Sequence, residues 1–216
     1  MAKKSKNDAN IIKELKKLSN EAYKAIPSSF PKAMKPNKLK DDDVTYDEIE
    51  INGVKEDRVT NLYLVRTRLN EIPECIWQLD ALEFLKCEDA FSKNISNPIL
   101  PSSVTNLTRL RTITLRNASF INFPVTFQNF SKLESLTRLN ISDNSLNQIP
   151  IELGELKNLE WLNLKSNGLT DFPDFFVSMT KLKELKLGDN NFDDKIIDKI
   201  NNLLPSVEID WSNTTI

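Results

Sequence analysis

Histidine is absent from all 216 residues. That removes the side chain that most often serves as a general base near neutral pH and most often ligates metals. Ser–His and Cys–His nucleophile pairs go with it. Glycine occurs only four times, and the phosphate-cradling pattern GxxxxGK[ST] does not occur. Two cysteines, Cys75 and Cys87, are too few for a disulfide scaffold and form no CxxC pair. They imply a reducing, cytoplasmic setting. No apolar run reaches the roughly 18 residues of a membrane-crossing helix. The opening stretch MAKKSKNDANIIKELKKLSN is basic without an apolar segment, so it does not read as a secretory signal. A formal charge of −2 gives no overall polyelectrolyte character.

What the chain does have is self-similarity. LNISDNSLNQIP (139–150) and LNLKSNGLTDFP (162–173) are nearly the same phrase, 23 residues apart. The phrase generalises to L-x-L-x-x-N-x-L-x-x-[I/F]-P. Its first dyad recurs as Leu62/Leu64, Leu85/Cys87, Ile113/Leu115, Leu139/Ile141, Leu162/Leu164, Leu185/Leu187 and a final Ile209/Trp211. The steps are 23, 28, 26, 23, 23 and 24 residues, and a near-fixed period of this length specifies a stacked solenoid. The two long steps place insertions in Phe91–Pro98 and around Phe130–Leu136, both off the strands.

Each repeated position has a physical reason. The dyad is a short strand with alternate side chains turned inward. Asn144, Asn167 and Asn190 sit where the chain leaves the sheet, and an amide there can satisfy backbone groups of neighbouring turns. The Pro of Ile72-Pro73, Phe123-Pro124, Ile149-Pro150 and Phe172-Pro173 ends the extended run. Leu153, Leu156 and Leu159 recur every three residues, which suits a 3₁₀-like convex side. Thr67, Ala90 and Ala118 replace the asparagine in the early units and make no amide ladder.

From Arg58 to Trp211 the pattern resembles the leucine-rich repeat family, and within it the 23-residue intracellular, Ras-group type. The resemblance implies an α/β solenoid: a right-handed horseshoe with a parallel sheet on its concave side. It also implies a scaffold that engages small GTPases, phosphatases or polarity complexes.

The ends differ from the middle. Residues 1–40 hold 11 Lys against 3 Asp/Glu, and residues 41–60 hold 2 Lys/Arg against 8 Asp/Glu. Ile11, Leu15, Leu18, Ala22 and Ile26 share a helical face that Pro27 stops. Tyr46, Ile49 and Ile51 suggest an edge strand. The division expected is a helical arm or cap with an acidic linker over 1–57 and the repeat domain over 58–216. At the other end, Ile196, Ile197, Ile200, Leu203 and Leu204 form a helical stripe, and Val207, Ile209 and Trp211 a closing strand.

The invariant letters are core and turn, so recognition belongs to the letters that vary. The outward residues flanking each dyad form columns on the concave face. From them Tyr63, Arg66, Phe84, Arg116, Arg138, Asp143, Trp161, Lys165 and Asp189 are selected as partner-binding, because aromatics and Arg dominate interface hot spots and Arg forks onto carboxylates. Asp89, Asp143 and Asp189 share one column. The expected function is a non-enzymatic, monomeric protein-interaction module without catalytic residues, metal, cofactor or small-molecule substrate.

The alternative is electrostatic attachment of the basic arm to nucleic acid or an anionic membrane. An enzyme using carboxylates alone would need a ligand-sized concave pocket with two converging acids, which an open repeat sheet is not expected to offer. The stretch DNNFDDK (189–195) lacks the glycine and closing glutamate of a calcium loop. Six Asn-x-Ser/Thr triplets, at Asn94, Asn106, Asn117, Asn129, Asn140 and Asn213, read as a by-product of composition.

Overall fold

A computed structural model of the chain describes residues 3–25, 37–51, 54–67, 69, 72–91, 100–118 and 122–212. The expected stop at Ile26-Pro27 and the insertion at Phe91–Pro98 fall largely outside them. The dyads form a parallel run of strands: β3 (Val54–Val65), β4 (Phe84–Glu88), β5 (Thr112–Arg116), β6 (Arg138–Asn140), β7 (Trp161–Asn163), β8 (Glu184–Lys186) and β9 (Glu208–Asp210). Each pairs with the next in sequence, dyad against dyad, so Leu62, Leu85, Ile113, Leu139, Leu162, Leu185 and Ile209 make one row. These rows are buried through Leu187, and with the convex leucines they form a single core.

The asparagines close the turns as expected, and with more bonds than a single cap requires. Asn167 Nδ2 donates to the carbonyls of Ile141 in the preceding repeat and Leu164 in its own, each at 3.0 Å. Its Oδ1 accepts the backbone N–H of Asn144 at 3.1 Å. Asn190 and Asn144 repeat the pattern one unit on and one unit back. At Thr67 a hydroxyl substitutes in part, donating to the Ala90 carbonyl at 2.9 Å.

The convex side is 3₁₀ where the prolines predict it. Pro73, Pro101, Pro150 and Pro173 each lead into a five-residue 3₁₀ turn. The third repeat departs from this. There α2 (Phe123–Phe130) is an α-helix, capped by the Asn122 side chain accepting from the Val125 N–H. The three extra residues are therefore absorbed immediately after Pro124, upstream of the expected Phe130–Leu136. Phe127 and Phe130, three residues apart, are both fully buried. Cys75, expected on the outer side, is buried in the first 3₁₀ turn, and neither cysteine forms a disulfide.

The N-terminal end is closed by two devices. β2 (Val44–Ile51) pairs antiparallel along β3 and covers the edge of the sheet. On the other side of β3, β1 (Lys3–Lys4) pairs with Glu56 and Asp57 and leads into α1 (Lys6–Ala25). Ile11, Ile12 and Leu15 of α1 join the repeat core. Asp8, fully buried, accepts from Arg58 Nε at 3.1 Å and the Val59 N–H at 2.8 Å, and Arg58 also bonds Asp80. Lys16 pairs with Asp41, so the acidic stretch lies against the basic helix. β3 runs through the expected boundary at 57/58.

At the C-terminus α3 (Asp194–Leu203) is capped by Asp193, whose carboxylate accepts the Ile196 N–H at 2.9 Å. β9 then adds the last strand, ending at Asp210. Trp211 lies just past it, edge-on to Phe192.

Replacing Asn167 by Ala leaves buried donors and acceptors in two turns without partners. It is expected to cost about 3 kcal/mol of unfolding free energy, read as a shift in the urea midpoint. The exposed Gln148→Ala should stay within about 0.5 kcal/mol of the parent. Asp8→Ala removes the buried partner of Arg58 and is expected to cost a similar amount, about 3 kcal/mol. Hydrogen exchange should show α1 losing protection ahead of the repeats. Equal loss along the whole chain would count against Asp8 as the fastening of α1.

Candidate functional site

The sheet register fixes which outward side chains meet, and they gather in three groups. At the N-terminal end Tyr63 and Phe84, on β3 and β4, are half-buried with ring centroids 5.2 Å apart. In the centre Arg116 donates from Nε to Asp143 at 2.7 Å and from Nη1 to Glu88 at 3.0 Å, while Lys86 pairs with Glu88 at 2.9 Å. The Asp143 hydrogen bond raises the Arg116 pKa further.

Toward the C-terminus the Arg138 guanidinium lies 4.5 Å from the centroid of the Trp161 ring, and Lys186 Nζ stands 5.8 Å from it. Lys186 bridges Glu184 at 3.0 Å and Asp210 at 3.1 Å, and Lys165 reaches Asp210 at 3.0 Å. The hydrogen bond from Lys186, and then that from Trp161, lowers the Glu184 pKa. Asp210 is held well below the ordinary aspartate range. The Ser212 hydroxyl is the largest cause, followed among the stabilising contacts by the Ser212 N–H and the two lysines.

Phe84 of the first group, the central group, and Lys165, Lys186, Asp210 and Ser212 of the third line a hollow of about 600 Å³. It is of ligand size, so it meets one condition set above for a carboxylate enzyme. Its acids do not meet the other. A general acid needs a carboxyl poised near the working pH, whereas Asp210 is shifted the opposite way, and Glu88 and Asp143 are both bonded to Arg116.

Of the residues selected from sequence, the structure thus joins Tyr63 to Phe84, Arg116 to Asp143 and Arg138 to Trp161, and ties Lys165 into the Asp210 group. Arg66 and Asp189 stand near opposite ends of the sheet. Both belong to a column whose backbone explains its composition. Arg66, Asp89, Asn117, Asp143, Ser166 and Asp189 all have φ between 47° and 59°, in the left-handed region. Asp and Asn tolerate that region better than most residues. In four of them the N–H makes the last backbone bond to the next strand: Arg66 to Glu88, Asp89 to Arg116, Asp143 to Lys165 and Ser166 to Gly188. The shared acidic column is therefore first a backbone requirement. Arg66 has no such side-chain preference and holds the conformation regardless.

Glu88, Lys186, Asp210 and Ser212 were not selected from sequence. A usable signal exists, because opposite charges one period apart in facing columns, such as Glu88 with Arg116, are placed side by side by stacking. Gly188 holds the place of Lys165 one repeat later. A Cβ there would stand 1.9 Å from the Ser212 carbonyl oxygen, so glycine admits the terminal chain across the sheet.

A family model for the leucine-rich repeat matches residues 108–169 and 134–192. Residues 108–192 carry leucine-rich repeats, and the chain has the leucine-rich repeat fold. Among solved structures, the repeat ectodomain of the receptor kinase SOBIR1 from Arabidopsis thaliana has a TM-score of 0.51 at 18% identity, covering 89% of this chain and 97% of that one. That likeness shows a shared fold. A leucine-rich repeat protein of Leptospira interrogans is 29% identical with a TM-score of 0.49, over 70% of this chain and 36% of its own. This chain therefore spans little more than a third of that protein. A search of curated proteins found no match.

A carboxylate whose folded pKa is depressed adds stability above its unfolded pKa and loses it as pH falls toward the folded value. The Asp210 contribution to this repeat protein should be complete above the ordinary aspartate value of about 3.9 and drain away below it. Between pH of about 4 and 2, the parent is expected to lose more thermal stability than Asp210→Asn. Parallel Tm curves would remove Asp210 from the acid response.

Proposed function

We propose that this leucine-rich repeat protein is a non-enzymatic interaction module whose concave sheet receives a partner protein. The observation behind this reading is the preorganised face itself. Half-buried aromatics at Tyr63, Phe84 and Trp161 lie between charged side chains that neighbouring strands already hold in place. Ordering these side chains at the moment of binding then costs little further entropy. Seven strands at about 4.8 Å spacing span roughly 30 Å, enough for an interface of about 800 Å² on each side. Arg66, held in a left-handed turn that its side chain does not favour, belongs to the N-terminal rim of this surface. Asp189 belongs to the C-terminal rim.

By family analogy the partner is a small GTPase or a phosphatase, and the module acts as a cytoplasmic monomer. The two buried cysteines, neither in a disulfide, suit a reducing compartment. The basic arm is the weaker candidate. The apolar face of α1 is already committed to the core at Ile11, Ile12 and Leu15, which leaves only its exposed lysines for an anionic surface. Among the described residues no helix is long and apolar enough to cross a membrane.

The test is capture of partners from source-cell lysate, read by mass spectrometry. Phe84→Ala/Trp161→Ala is expected to lose a partner that a Lys6→Gln/Lys13→Gln/Lys17→Gln variant retains. Deleting the arm would be the wrong control, because it opens the core at α1. If the aromatic variant keeps its fold and every partner while the lysine variant loses them, the arm is the binding element.

A further inference from the structure

Among the described residues of the concave face, Lys86, Arg116, Lys165 and Lys186 are each matched by a carboxylate of the same face, in the bridges given above. Arg138 stands apart from them. Its guanidinium lies on Trp161, and among the described residues no carboxylate pairs with it. The acids whose fields reach it, Glu160 and Glu184, are held by Lys183 at 2.6 Å and Lys186 at 3.0 Å. Arg138 is exposed, so its forked donors face solvent from a fixed plane.

Two further donors stand beside it. Asn140 and Asn163 are paired across β6 and β7, two residues along from the Arg138–Trp161 pair and on the same side of the sheet. Each spends its Oδ1 on a backbone N–H, Asn140 on Ser142 and Asn163 on Lys165, both at 3.0 Å. Accepting there turns each Nδ2 away from the turn, and among the described residues no hydrogen bond takes it. Both residues line the hollow. Arg138 and the two amides therefore present oriented N–H donors at the centre of a face whose neighbouring cations Lys86, Arg116, Lys165 and Lys186 are already paired.

From this geometry we infer that Arg138, Trp161, Asn140 and Asn163 form a subsite for an acidic side chain of an extended partner segment. The carboxylate of a Glu or Asp forks onto Arg138 above the indole, and adjoining backbone carbonyls accept from the two amides. The inference rests on the concave-face reading and adds to it the chemistry of the partner: the anchor is a carboxylate within an extended strand.

The experiment titrates the ¹⁵N-labelled full chain with two probes, acetyl-Gly-Ala-Glu-Ala-Gly-amide and its Gln counterpart. The Glu probe should move the Trp161 indole N–H and the side-chain amides of Asn140 and Asn163, with an affinity roughly threefold above that of the Gln probe, the scale of one exposed charge pair. Arg138→Gln should erase that preference with the backbone spectrum otherwise unchanged. Equal response to both probes, a preference that survives Arg138→Gln, or shifts confined to other faces would overturn the subsite. If the preference is absent while Phe84→Ala/Trp161→Ala still loses a captured partner, the concave-face reading stands and only the carboxylate subsite falls. If the Glu preference appears but the double variant keeps every partner, the subsite stands and the partner reading falls.

Discussion

The fold depends on satisfying the backbone where each strand turns away from the sheet. A three-residue strand such as Leu162 with its two neighbours has few ladder bonds of its own. The next residues enter a left-handed turn in a buried place, where an unpaired N–H or C=O costs as much as a lost hydrogen bond. Asn167 supplies both a donor and an acceptor, and it reaches two repeats at once. No shorter or purely hydrophobic side chain can do this. The amide thus welds neighbouring repeats rather than finishing its own, which is why stability in such a stack is shared between nearest neighbours.

The same constraint shaped what could be read from sequence. Dyads, asparagines and prolines were legible because each answers a local need that recurs at a fixed period. The 3₁₀ turns followed from the proline and the three-residue leucine spacing. α2 was not legible in this way. Phe123, Phe127 and Phe130, spaced by four and then three residues, suit a helix, but they stand where the neighbouring repeats carry a 3₁₀ turn, and the proline there signals the same turn as in those repeats. The acidic column was visible but its meaning was not. Asp143 and Asp189 read as charge offered to a partner, and the backbone shows that they and Asp89 first serve a left-handed turn. For the site, the columns named the right surface, while the grouping within it came from register. Glu88 and Arg116 are 28 residues apart and become neighbours only because one repeat stacks on the next.

The two caps solve one problem with different chemistry. At the C-terminus an amphipathic helix and a last strand cover the final row, and Gly188 lets the terminal chain cross the sheet. At the N-terminus the first row would be open to both solvent and strand addition. β2 blocks the edge and α1 covers the core, fastened by Asp8 to Arg58. A buried ion pair is weak support in itself, because desolvation offsets most of its attraction. Its use here is orientation, since Asp8 also binds the Val59 N–H and so fixes where α1 begins. The lysine-rich arm is therefore first a cap.

Preorganised charge on the concave face has two opposing consequences for recognition. Cations such as Lys186 and Arg116 are already matched, so a partner gains little by approaching them and must desolvate a satisfied pair to compete. That disfavours binding driven by charge alone. Attraction concentrates instead where the matching is incomplete, at the aromatics and at any donor left over from the internal network. A face built this way discriminates by shape and by a few unsatisfied groups, and like-charged or featureless partners meet only neutralised surface. Rigid stacking makes such discrimination possible, because each outward side chain is placed by a strand whose register its neighbours on both sides enforce.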